Sequence, residues 1–232
     1  MPGKFVVKSQ IMSNLSPEPD HDADPKAQLA AAIHAGADLL NSRTVEPQIL
    51  DEARSLVEQA NSLLAAGVAR TEEERLLDFA SQMVVPLGAP IVEDGTVFEA
   101  FLASPFSGKH NALRPTSVSY RSVDGEVHGE VLVGPAFEGA PGRAHGGLTA
   151  AIFDDLMGAM QRVTGLSGYT LTLEVTYLAK LPIDEIVMFR AWQVESTDKT
   201  FTVDGEAVHD GTTVATARGV FTAMPAERFA SQ

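Results

Sequence analysis

Apolar positions in the first third of the chain recur every three or four residues, and those in the remainder mostly alternate. Between Lys26 and about Gln82 the helical period holds over Ala27 to Leu40, over Glu46 to Ala66 with Ile49, Ala53, Leu56, Ala60 and Leu63 on one stripe, and over Thr71 to Met83. Three helices are predicted. Thr71-Glu72-Glu73-Glu74 reads as a capping box with acids in the first turn, where they complement the helix dipole, and its charge run as a solvated face. Ahead of these helices, Ser13 to Pro25 combines three prolines with Asp, Glu and Ser, which predicts a flexible N-terminal arm over residues 1–25.

Beyond the break at Pro86 to Pro90 the period falls to two. Thr96 to Ala103, Ser117 to Arg121, Glu126 to Val133, Thr170 to Ala179, Glu185 to Glu195, Lys199 to His209 and Thr212 to Ala223 alternate and are rich in β-branched and aromatic residues, so each predicts a strand. Asp124-Gly125 and Asp210-Gly211 are hairpin-turn dipeptides between them. One segment interrupts the strands: Leu148 to Val163, free of proline and rich in Ala, Leu, Ile and Met, predicts a long helix. Such a helix must bury its apolar surface against a sheet that curls around it, an α+β architecture. The chain therefore divides into an arm over 1–25, a helical extension over 26–90 and an α+β domain over 91–232.

The interrupting helix is opened by His145-Gly146-Gly147. Glycines let the backbone approach a ligand closely, and the first N–H groups of a helix lack intrahelical partners, so this terminus suits developing negative charge such as a carbonyl becoming an oxyanion. Gly147 is the natural donor. At about 100° per residue, Gly147, Ala151, Asp154 and Gly158 fall on one stripe, whereas Asp155 falls with Leu148, Ile152 and Ala159. Asp154 is thus the first-choice catalytic carboxylate, and Asp155 is the alternative if the helix is rotated or locally unwound. The bland reading is a tight strand-to-helix connection beside a packed or solvated histidine.

The segment from Ala144 to Asp155 resembles the His-Gly-Gly motif of the hotdog-fold thioesterases, specifically the PaaI-like and mammalian THEM-like acyl-CoA thioesterase group, and the resemblance spans roughly residues 95 to 225. It implies a hotdog fold, in which an antiparallel sheet wraps a central helix. It also implies hydrolysis of acyl-CoA to free acid and coenzyme A. In that group the acid after six intervening residues is general base or nucleophile, which is Asp154 here, and a Ser or Thr on the following strand, seven residues before an aromatic, positions the attacking water. That position is Thr170, ahead of Tyr177. His145 is implied to anchor the loop or contact the substrate rather than act as base. The chain departs from some members at Gly139, where they carry an Asn; relatives with a Glu-Gly-x-Pro-Gly lead-in are closer to Glu138-Gly139-Ala140-Pro141-Gly142. The resemblance further implies a site between protomers, hence a homodimer or dimer of dimers, and no cofactor. Two rival readings are a hotdog domain that binds acyl groups or proteins without turnover, and a hydratase or dehydratase with a His-acid pair.

Composition narrows the field. The 232 residues, 44% hydrophobic and 21% charged, suit a globular protein with a sizeable core. A net charge of -14 repels nucleic acid and anionic membranes, and repels coenzyme A as well, so its phosphates need a local basic cluster. Arg143 and Lys199 are the substrate-binding candidates, with Arg190 and Arg218 nearby, and Gly146 and Asp155 complete the substrate-binding set. Leu171, Leu173, Phe189 and Trp192 line an acyl pocket or belong to plain core. Cysteine is absent, which excludes disulfides and a thiolate nucleophile. The six histidines lack ligand spacing, so no metal is expected, and no phosphate-loop or dinucleotide motif occurs. Neither a leader peptide nor 18 uninterrupted apolar residues is found, so no membrane span and a cytoplasmic location are expected.

Overall fold

A computed structural model describes residues 24–83, 92–99, 104–115 and 117–223. Three helices come first, α1 (Pro25–Ser42), α2 (Pro47–Ala65) and α3 (Glu72–Met83), followed by β1 (Val97–Phe98), β2 (Ser117–Val123) and β3 (Glu126–Leu132). A 3-10 turn, Pro135–Phe137, leads to α4 (Gly146–Ala159) and the single turn α5 (Gln161–Thr164), and β4 (Thr170–Tyr177), β5 (Ile186–Ser196), β6 (Thr200–His209) and β7 (Thr212–Thr222) complete the order. The strands form one antiparallel sheet in the order β1-β2-β3-β5-β6-β7-β4. The fold is α+β, as the alternation predicts, with α4 packed across β3 to β7 in the hotdog arrangement that the resemblance implies.

The two Asp-Gly dipeptides do what their chemistry allows. Asp124 and Gly125 both take positive φ (51° and 81°), as do Asp210 and Gly211 (49° and 74°), closing the β2–β3 and β6–β7 hairpins. Leu148, Ile152, Phe153, Leu156, Met157 and Ala159 of α4 are buried against Val127, Val131, Phe189, Ala191, Val203, Ala217 and Phe221 of the sheet. Each such large side chain contributes roughly 1.5–3 kcal/mol on burial. The helix lies close because the sheet carries glycine beneath it: a Cβ on Gly219 would stand 2.8 Å from Met157 Sδ, and one on Gly205 would stand 3.1 Å from Met157 Cε. The α5–β4 connection is pinned by the buried Gln161, whose Oε1 accepts the Gly168 N–H at 2.8 Å.

At the N-terminal side, α1 begins at Pro25 with Asp24 as its N-cap, so the arm predicted to run through residue 25 yields its last two positions to a helix, and residues 1–23 lie outside the described ones. Asp24 Oδ1 accepts the Lys26 and Ala27 N–H groups at 3.2 Å, which is reason enough for the helix to start there. The capping box at Thr71 forms as read: Thr71 N–H donates to Glu74 Oε2 at 2.8 Å and Glu74 N–H donates to Thr71 Oγ1 at 3.1 Å. Helix α2 buries none of its residues. The strand expected over Thr96 to Ala103 is seen as Val97–Phe98, and residues 100–103 and the break at Pro86 to Pro90 lie outside the described residues.

Candidate active site

Helix α4 starts at Gly146, two residues earlier than the apolar period suggests, because His145 supplies its cap. His145 Nδ1 accepts the Gly147 N–H at 3.0 Å, so the amide read as an unpaired donor is satisfied by a side chain that is itself exposed and able to swing away. Accepting at Nδ1 places the ring proton of the neutral imidazole on Nε2. Glycine at 147 is what makes room: a Cβ there would stand 3.1 Å from Nδ1 and 3.3 Å from Cε1 of that ring. The His145 backbone is fixed too, its N–H donating to Phe137 O at 2.9 Å, while Glu138 and Ala144 bridge as antiparallel partners. This explains the departure at Gly139, since any Cβ there would lie 3.0 Å from His145 Cα.

Asp154 and Thr170 meet. Thr170 Oγ1 donates to Asp154 Oδ1 at 2.8 Å across sixteen residues of sequence. The register of β4 against β7 shifts between Thr170 and Thr172, and such a bulge re-aims the side chain beside it. One carboxylate oxygen of Asp154, a half-buried residue, is thereby held. Tyr177, at the far end of β4, donates its hydroxyl to Gly146 O at 2.7 Å, so the aromatic seven residues after Thr170 fastens the start of α4 to the strand.

Asp155 points elsewhere. Tyr120 Oη donates to its Oδ2 at 2.8 Å and Ser104 Oγ donates to its Oδ1. Burial pushes the Asp155 carboxyl above the usual carboxylate range, against the pull of those hydroxyls, and burial with the Asp155 charge also raises the Tyr120 phenol well above its ordinary value. Ser104 Oγ in turn accepts the Phe106 and Ser107 N–H groups at 3.1 and 3.3 Å, so Asp155 anchors the loop that carries Phe106. The helical stripes drawn at 100° per residue are obeyed, with Leu148, Ile152 and Ala159 buried and Asp155 turned inward among them.

A cavity of about 460 Å³ opens beside the α4 N-terminus, lined by Phe106, Phe137, Glu138, His145, Gly147, Leu148 and their small neighbours Ala136 and Ala151. Its lining omits Asp154 and Thr170. Seven residues of α-helix separate Gly147 from Asp154, a rise of about 10 Å.

The other candidates divide. Arg143 and Lys199 are exposed, consistent with anion contact. Arg190 is instead engaged by Glu206 at 2.7 Å and stacked 4.8 Å over Trp192, and Arg218 makes two 2.7 Å bonds to Asp204, so both are committed within the sheet face. Phe189 is core, edge-on to Phe153, and Leu171 is exposed on the β4 edge. Among the described residues, Glu185, His209 and Asp210 form the one group whose ligand atoms lie within 4.8 Å of one another; it is an exposed cluster remote in sequence from the motif, with His209 and Glu185 paired at 2.8 Å. Sequence reasoning did not reach Ser104, Tyr120 or Phe137, whose partners lie far along the chain, and the alternation of β2 was the only available signal for Tyr120.

Residues 141–216 match the family model of the Thioesterase superfamily. A solved structure of a thioesterase superfamily protein superposes with a TM-score of 0.70 at 24% identity, covering 90% of this chain and 94% of its own. The chain has the hotdog fold of the thioesterase superfamily. Coverage of that extent takes the likeness into the helical extension as well as the hotdog domain. Shorter chains align more partially: a hypothetical thioesterase from Streptococcus pneumoniae TIGR4 solved with coenzyme A (24% identity, 44% of this chain, 80% of that one, TM-score 0.42) and a phenylacetic acid degradation-related protein from Ralstonia eutropha JMP134 (26%, 46%, 84%, 0.42). Curated proteins offer no match. No described helix is long and apolar enough to cross a membrane.

Proposed function

We propose that this hotdog-fold protein hydrolyses acyl-CoA thioesters, as a member of the PaaI-like and THEM-like group, in a site completed by a second copy of the chain. The observation that carries the reading is the Thr170–Asp154 hydrogen bond, set about 10 Å along α4 from the Gly147 amide. In this reading Asp154 and Thr170 of one protomer face the motif loop of the other, so that both groups serve one carbonyl. The exposed β4 edge offers the means. Leu171 and Tyr177 on that strand are 54% and 53% exposed, and a long apolar edge left unpaired is an aggregation hazard that pairing with a second β4 removes.

In the composite site, the thioester oxygen accepts from the Gly147 N–H once His145 swings aside, and the His145 Nε2–H remains available to the substrate. Thr170 holds Asp154 Oδ1, and Oδ2 takes a proton from water as the water oxygen bonds to the carbonyl carbon. The tetrahedral adduct then expels the coenzyme A thiolate, which takes up the proton, giving free acid and thiol. The same carboxylate can instead attack the carbonyl carbon, expelling thiolate to leave a mixed anhydride that water opens. Single turnover in ¹⁸O water tests this: label in Asp154 establishes the anhydride route with water opening the anhydride at the aspartyl carbonyl. Arg143 and Lys199 supply charge for the phosphates. Release of free coenzyme A from a panel of short, long and aromatic acyl-CoAs tests the reading: turnover on at least one class is expected, and silence across the panel would favour binding without hydrolysis.

A further inference from the structure

We propose that α1, which lies outside the hotdog domain, braces the wall of the acyl pocket, with Asp38 and His34 as positioning residues that set how far an acyl chain can enter. The inference rests on reading the α4 cavity as the acyl site. Two loops build the outer side of that cavity, residues 104–115 with Phe106 and the 3-10 turn Pro135–Phe137, and α1 is bonded to both. Asp38 Oδ1 accepts the Ala136 N–H at 2.9 Å. His34, buried, stacks on Phe137 with ring centroids 6.0 Å apart and planes 25° from parallel. Its two ring nitrogens each face an acceptor, Ala112 O at 3.3 Å and Asp38 Oδ2 at 3.3 Å. At the other end of the helix, Asp24 Oδ2 lies 2.6 Å from His110 Nε2 and 3.8 Å from Lys109 Nζ.

The connection continues to the chemistry. Phe137 O accepts the His145 N–H, and His145 caps Gly147, so a displacement of the turn is passed to the oxyanion donor through two hydrogen bonds. On the other loop, the Phe106 N–H donates to Ser104 Oγ, which is itself bonded to Asp155, and four residues further on His110 is tied to Asp24. A small gap of about 140 Å³ lies between α1 and residues 111–114, and among the described residues α1 buries Ala27, Ala30 and His34. Such an element shifts when one tie is cut.

Asp38→Ala removes the acceptor for Ala136, and Asp38→Asn retains one. The expected result for Asp38→Ala is a KM for octanoyl-CoA raised about tenfold, with KM for acetyl-CoA and both kcat values within about twofold, and a return toward wild type in Asp38→Asn. Amide exchange over residues 136–147, followed by mass spectrometry, should quicken in Asp38→Ala and not in Asp38→Asn. A uniform loss on both substrates, or unchanged exchange in Asp38→Ala, would overturn the proposal. Should the wild type hydrolyse no acyl-CoA, the hydrolytic reading fails separately, and calorimetry with S-octyl- and S-ethyl-coenzyme A thioethers reads the wall directly. Selective weakening of the octyl ligand supports it, and equal or absent binding of the two overturns it.

Discussion

Neighbouring aspartates on α4 have opposite fates because a helix turns 100° between them: Asp154 reaches Thr170 on the sheet edge, and Asp155 turns inward to Tyr120 and Ser104. Their substitutions should separate accordingly. A carboxyl raised by burial destabilises the folded state as pH climbs from the usual carboxylate range, about 4, toward its folded value, because the unfolded chain releases the proton first. Urea midpoints measured across that window should therefore fall less with pH in Asp155→Asn than in wild type, and parallel curves would show that the buried carboxyl does not govern this slope. At Gly147, proline deletes the N–H and its Cβ displaces the His145 ring that glycine accommodates, so Gly147→Pro should lower kcat about a hundredfold. That split between the two aspartates was legible from the spacing of Leu148, Ile152 and Ala159. The hydroxyls around Asp155 were not, since Tyr120 and Ser104 lie 35 and 51 residues away and nothing local marks them. Nor was the His145 cap, which depends on a rotamer.

At the scale of elements, periodicity and turn chemistry located the helices and most strands to within a few residues, because each segment's local preference agrees with its place in the fold. What periodicity could not supply was which faces meet. The stripe on α2 looks like a buried face and buries nothing among the described residues, whereas α1 is tied down through Asp24, His34 and Asp38, which are polar. Asp24 shows why the limit of the arm matters. The hydrogen bond with His110 first, then that from the Ala27 amide, hold its carboxyl at about 2, so the α1 tie is complete above the ordinary carboxylate value and lost as pH falls toward 2. Removal of residues 1–23 should leave turnover intact. Removal of two more residues takes the cap, and faster proteolysis within α1 is the expected readout; equal proteolysis of the two truncations would show the cap to be dispensable. For β4, Leu171→Lys should convert a dimer to monomer in sedimentation and abolish turnover together, and a fully active monomer would contradict pairing through this edge.

Taken whole, the molecule is an acidic hotdog protein, with a net charge of -14, that we propose to act on a polyanion. Long-range repulsion follows, so KM for acyl-CoA should fall as ionic strength rises from about 0.01 to 0.15 M, and a rise would imply that local cations such as Arg143 and Lys199 outweigh the overall field. The spacing along α4, about 10 Å between Gly147 and Asp154, bears on the larger matter, our proposal that two chains form one site. Mixed dimers test this directly. Gly147→Pro and Asp154→Asn should each be nearly inactive alone, but subunit exchange between them creates heterodimers in which one of the two sites keeps both an intact Gly147 and an intact Asp154. Random exchange should then restore about a quarter of wild-type turnover per protomer. Activity that stays at the level of the separate variants, with heterodimers present by mass spectrometry, would place the whole site within a single chain.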